Sequence, residues 1–186
     1  MKLSKIKALC LDSRRCVLAR ASDGALWIGD GRHYYRLIGI EVESDAVDDL
    51  LGINPKQGDK MAHLGENRRE AFFRREGPVI GDALVFRGAV IGYGVHVWVL
   101  DGDAGAVYVA EDAVLASRVE DNLANFVLVH DGDGEPLVAV MRGLFCDALL
   151  KPAAPEAAEA IREGLDAIAR IPVRGLAAGN AGAEAM

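Results

Sequence analysis

From residue 79 to residue 150 the chain alternates short apolar runs with breaks built from aspartate and glycine, and few folds accept such a pattern. The runs are too short for packed helices, and Asp-Gly pairs supply the backbone turns that reverse a chain between adjacent strands. Strands are therefore predicted at Val79–Phe86, Ala89–Leu100, Ala106–Ala110, Phe126–His130, Pro136–Met141 and Leu144–Leu150. The segments Asp101-Gly102-Asp103-Ala104-Gly105, Asp131-Gly132-Asp133-Gly134 and Arg142-Gly143 supply turns between them, and Asp112–Val119 is expected as a short helix.

The first half reads similarly but with more interruptions. Ile6–Leu11, Cys16–Ala21, Ala25–Gly29 and Tyr34–Val42 are expected as strands, with Ser22-Asp23-Gly24 as a hairpin turn. Ser44 and Asp45 then favour a helix start, Ala46, Val47, Leu50 and Leu51 give it an apolar face, and Gly52 stops it. Asn54 with Pro55 opens a second short helix running to about Gly65.

The segment Ile40–Val47, IEVESDAV, is echoed by Val107–Val114, VYVAEDAV; each passes from an apolar run into an acidic helix start. The fold class expected is α+β: a strand-rich domain of two related β-sheet half-units with short helices, plus a C-terminal helix. One domain is assigned to residues 1–174, with half-units at 1–78 and 79–152 and the final helix at 155–171. Residues 175–186, with little to bury, are expected to be a disordered tail.

The chain has 186 residues, of which 51% are apolar, so it can bury a core without staples. A formal charge of −7 argues against wrapping nucleic acid with the whole surface. Cys10, Cys16 and Cys146 lack CxxC spacing and lie in apolar runs, the pattern of reduced cysteines in a cytoplasmic protein. No window approaches the roughly 18 apolar residues of a membrane span, so no membrane partner is expected.

No catalytic residue, metal ligand or cofactor emerges. His33, His63, His96 and His130 lack metal-ligand spacing, the Asp-Gly runs lack the twelve-residue calcium loop between helices, and no placed nucleophile accompanies them. Gly29-Asp30-Gly31 and Gly92-Tyr93-Gly94 read as turns or bulges rather than phosphate loops. Trp27, Tyr34, Tyr35, Tyr93, Trp98 and Tyr108 fit core or cross-strand positions better than base-stacking ones. One dense basic cluster remains. Arg68, Arg69, Arg74 and Arg75 could hold phosphates, or could pair with Glu66, Glu70 and Glu76 on a solvated connector.

The order of elements from Gly105 to Pro152, strand AVYVA, helix EDAVLASRV, strand NFVLVHD, turn DGDGE, strand PLVAVM and strand LFCDALLKP, is similar to the strand–helix–three-strand unit of bacterial DNA polymerase processivity clamps. RLIGIEVESDAVDDLL resembles the same passage in another copy, and the layout is also similar to that of small uncharacterised phage and mobile-element proteins. The chain departs from the clamp pattern in having room for one domain rather than three, and the clamp's partner groove has no counterpart in it. The resemblance implies a non-enzymatic binding protein, a clamp-like accessory of DNA replication or recombination on a phage or mobile element. Its partners would be DNA or a replication or recombination protein, with Arg68, Arg69, Arg74 and Arg75 as the nucleic-acid contacts. Independently, the long apolar strands expected at 89–100 and 136–150 leave edges to be covered, which predicts a homodimer formed through a sheet edge or apolar face. The alternatives are a small-ligand-binding protein or enzyme with a pocket between the half-units, and an oligomeric structural phage protein.

Overall fold

The computed structural model describes residues 1–21, 23–64, 81–92, 95–117, 124–131 and 133–169. The chain divides into two compact units, Met1–Ala153 and Ala154–Met186. The first is strand-rich α+β. It contains helix α1 (Leu3–Ser13) and strands β1 (Arg15–Arg20), β2 (Leu26–Gly29) and β3 (Tyr34–Leu37). A 3-10 turn (Ser44–Ala46) then leads into α2 (Val47–Leu51), followed by α3 (Pro55–Gly58) and β4 (Ala62–Leu64). Next come β5 (Asp82–Gly92), β6 (Val95–Gly102), β7 (Gly105–Ala110), α4 (Glu111–Ala116), β8 (Ala124–His130), β9 (Pro136–Arg142) and β10 (Phe145–Leu150). The second unit contributes the C-terminal helix α5 (Pro155–Ala169), opened by proline with Glu156 in its first turn.

The ten strands form one sheet in the order β4-β1-β2-β3-β10-β9-β8-β5-β6-β7. All pairings are antiparallel except that of β4 with β1. Strand β5 is shared: Asp82–Leu84 pair with β8, whereas residues from Val85 onward pair with β6. A register shift between Phe86 and Gly88, where Gly88 has φ +155°, bends the strand in the manner of a bulge. The sheet therefore curls. In pairing order β7 lies five strands from β10, about 24 Å in a flat sheet, yet the Ala153 N–H just after β10 donates to the Tyr108 carbonyl of β7 at 2.8 Å.

Side-chain alternation separates two apolar clusters on the two faces. Cys16, Leu26, Ile28, Tyr35, Leu37, Val138, Val140, Ala148 and Leu150 share one with Leu84, Leu100 and Val109, and Ile6 and Cys10 of α1 and Ala113 and Val114 of α4 pack into it. Val17, Ala19, Trp27, Tyr34, Val129, Leu137, Ala139, Met141 and Leu149 form the other. Two long-range bonds tie α4 into the first cluster: the Tyr35 hydroxyl donates to the Ala113 carbonyl at 2.9 Å, and the Lys2 N–H donates to Ala116 at 2.8 Å.

Several expectations need correction. Ile6–Leu11, expected as a strand, lies within α1: Ile6 and Cys10, four apart, bury one helical face, and the helix stops where Arg14 adopts φ +53°. The strand expected over Tyr34–Val42 ends at Leu37, with Gly39 at φ +69° just beyond. Ile40–Glu43 is consequently irregular, while Val107–Ala110 belongs to β7, and Ser44–Ala46 is a 3-10 turn where the corresponding Glu111–Ala113 already belongs to α4, so the echoed segments share only a helical turn at their ends. Ser44 makes no side-chain cap; its helix opens through the 3-10 turn. The break expected at residues 87–88 is the bulge, and Gly92, the last residue of β5, pairs with Val95, the first of β6; Tyr93 and Gly94 lie outside the described residues. Asn54 caps α3 in a reciprocal capping box with Gln57, but that helix is one turn long and gives way to β4.

Gly29 offers a direct test of how β2 and β3 are joined. A Cβ there would lie 1.8 Å from the carbonyl oxygen of His33, so Gly29→Ala must push the two strands apart. The expected cost is about 3 kcal/mol or more, a fall in melting temperature of roughly 6–12 °C. A thermal melt followed by circular dichroism measures it; an unshifted melt would contradict this packing.

Candidate functional site

At one end of the sheet, chain reversals bring together residues distant in sequence. Strand β1 ends at Arg20, which is paired with Leu26 of β2, and Leu26 pairs in turn with Leu37 of β3. In the first reversal the Asp23 carboxylate accepts the Ala25 N–H at 2.9 Å, and Ala21 donates to Ala25 at 2.8 Å. The β9–β10 hairpin arrives beside them: Arg142 pairs with Phe145, leaving Gly143, at φ +60°, and Leu144 at its tip.

A bulge between Cys146 and Ala148 decides which side chains of β10 face out. Strict alternation back from buried Leu149 would put Phe145 on the same face and so into the second cluster. With the bulge, Cys146 takes that interior place and Phe145 stands 64% exposed. Leu144 at the tip is 85% exposed and Ile38, just past β3, is 65% exposed. These three large apolar side chains stand in water at one end of the sheet.

Beside them opens a cavity of about 460 Å³, walled by Arg20, residues 23–26, residues 36–41 and Phe145. The Arg36 guanidinium donates to Asp23 at 3.2 Å and lies 5.9 Å from the centre of the Phe145 ring, so one charge orients both a turn and an aromatic face. Arg142 pairs with Asp147 at 2.7 Å. Among the described residues Arg20 reaches only the Gly24 carbonyl, at 3.5 Å. Apolar surface rimmed by guanidinium groups is a composition suited to recognition, since arginine and aromatic side chains carry a large share of binding energy at interfaces.

The other singled-out residues lie elsewhere. Arg68, Arg69, Arg74 and Arg75 fall outside the described residues, as do Tyr93 and the tail at 175–186. Trp27, Tyr34, Tyr35 and Tyr108 are buried as core aromatics, and Trp98 is half-buried against Phe86, their ring centres 4.3 Å apart. His33 is buried and accepts the Lys151 N–H at 3.1 Å; His63 meets Asp48 at 2.7 Å and His96 meets Glu111 at 3.1 Å. Asp131 uses its carboxylate to accept the N–H groups of Asp133 and Glu135, the turn role expected for it. Among the described residues no three His, Cys, Asp or Glu side chains converge on a metal-sized site, and no helix is long and apolar enough to cross a membrane.

The three thiols are free and buried. Burial, reinforced by neighbouring Asp147, pushes the Cys146 thiol up to about 12. The Cys10 thiol is raised by its hydrogen bond with Cys16 and by burial, so Cys10 holds its proton in the core. Burial likewise raises the Tyr35 hydroxyl. These shifts mark core groups rather than groups in the cavity wall. Comparison with protein-family models, with curated proteins and with solved structures found no match.

Because Leu144 and Phe145 are exposed, Leu144→Ser and Phe145→Ser should each cost less than about 0.5 kcal/mol and leave the melting temperature within about 2 °C of the parent. Leu137→Ala, in the second cluster, should cost about 2–5 kcal/mol. Melts of the three variants check the contrast; equal losses would mean that the outward pair is packed.

Proposed function

We propose that this chain is a non-enzymatic binding protein that meets its partner at the open end of the sheet. The observation that carries this reading is the exposure of Ile38, Leu144 and Phe145 beside a cavity rimmed by Arg20 and Arg36. Burying those side chains against a partner releases about 25 cal/mol for each Å² of apolar surface, a gain the free chain forgoes. The amphipathic anion 8-anilinonaphthalene-1-sulfonate matches this chemistry, with rings for the apolar side chains and a sulfonate for the guanidinium groups. The parent should enhance its fluorescence at low protein concentration. The triple variant Ile38→Ser, Leu144→Ser, Phe145→Ser should lose most of the enhancement with an unchanged circular dichroism spectrum. Equal enhancement in both would remove the open end as the binding surface.

The similarity to processivity clamps extends the reading to an accessory of DNA replication or recombination on a phage or mobile element. In that form Arg68, Arg69, Arg74 and Arg75 supply phosphate contacts that ignore base sequence. Each contact should add about −0.9 to the slope of log affinity against log salt on duplex DNA, so changing all four to glutamine should flatten it by roughly three to four. Fluorescence anisotropy with a labelled duplex measures this. No binding at low salt, or an unchanged slope, would exclude these arginines as the contact.

A further inference from the structure

The charges on the rim of the open end narrow the choice of partner. Resting on the binding reading above, we propose that the partner is a second copy of this chain, packed about a two-fold axis through Ile38, Leu144 and Phe145 so that Arg20 of each copy pairs with Glu41 of the other. A two-fold contact uses the same patch twice, so the patch must be complementary to itself. An apolar centre satisfies this automatically. Charges satisfy it only when cation and anion occur together on the patch and neither is neutralised within the copy.

Arg20 and Glu41 meet both conditions. Both line the same cavity and both are exposed. Among the described residues Arg20 donates only to the Gly24 carbonyl, and Glu41 has no hydrogen bond or ion pair. The neighbouring charges are already matched within the copy, Arg36 with Asp23 and Arg142 with Asp147, so they add no bias toward either sign. A uniformly acidic partner would face Glu41 and a uniformly basic one would face Arg20, whereas a second copy offers each its counterpart.

Sedimentation velocity of the full chain from about 1 to 100 µM tests this, with circular dichroism as the check on folding. The parent should show a concentration-dependent dimer that weakens as salt rises. Arg20→Glu and Glu41→Arg should each raise the dimer dissociation constant at least about tenfold, because each places like charges opposite one another twice. The double variant Arg20→Glu, Glu41→Arg restores both pairs with signs exchanged and should return to within a few-fold of the parent. A parent that stays monomeric at 100 µM overturns the proposal, as does a dimer indifferent to the single reversals or a double variant that fails to recover. A monomeric parent that still enhances the dye through Ile38, Leu144 and Phe145 keeps the binding surface and assigns it a different occupant. A dimer unaffected by Leu144→Ser and Phe145→Ser removes the second copy from this surface, and equal dye enhancement by the parent and the triple variant removes the surface itself.

Discussion

The sheet of this protein turns on β5. Its first three residues complete the ladder with β8 and the rest begin the ladder with β6, so one strand carries the chain's hydrogen bonds around the bend. The far side of the first apolar cluster depends on this. Leu100 and Val109 share a cluster with Ile28 and Tyr35 because β6 and β7 curl round on β5, and α1 and α4 pack against one another within it. Helix α4 follows β7 without a connecting loop and is delivered against α1, where Tyr35 and Lys2 take up carbonyl groups of its last turn. Satisfying backbone groups in this way matters because a buried carbonyl without a partner costs about 1–3 kcal/mol.

Irregularities in two strands do different work. At Gly88 the register shift bends the sheet; between Cys146 and Ala148 it exchanges the inward and outward positions of β10. The second shift is what leaves Phe145 outside while Cys146 sits in the core, and it also leaves Asp147 within reach of Arg142. The open end thus owes its aromatic ring to a single extra residue.

Much of the fold was legible because turn chemistry is local. The Asp-Gly breaks at 101–105 and 131–135 and the Arg-Gly break at 142–143 mark hairpins where glycine and aspartate are the favoured residues. Residues 6–11 were misleading because ILE-LYS-ALA-LEU-CYS-LEU fits a strand by content and a helix by spacing, and only the docking of Ile6 and Cys10 decides between them. The parallel strand β4 had no signal, since three residues pair only because β1 lies beside them. The candidate site was hidden for a related reason. Ile38 and Phe145 look like strand interior when read locally; a glycine at φ +69° and a bulge turn them out, and the pairing of β3 with β10 makes them neighbours. The dense arginine cluster drew notice by its spacing, whereas Arg20 and Arg36 stand alone in sequence and become a pair only in the folded chain.

The pairing of β3 with β10 also sets a schedule for synthesis. Strand β3 ends at Leu37 and β10 begins at Phe145, so at roughly 5–20 residues per second the edge of β3 waits on the order of ten seconds for its partner. During that interval Tyr34 and Tyr35, both buried in the finished protein, flank an unpaired row of backbone donors and acceptors. Nascent chains of this protein are therefore exposed to mispairing with one another at a strand that the completed fold places in the middle of its sheet, and slowing translation between β3 and β10 lengthens that exposure.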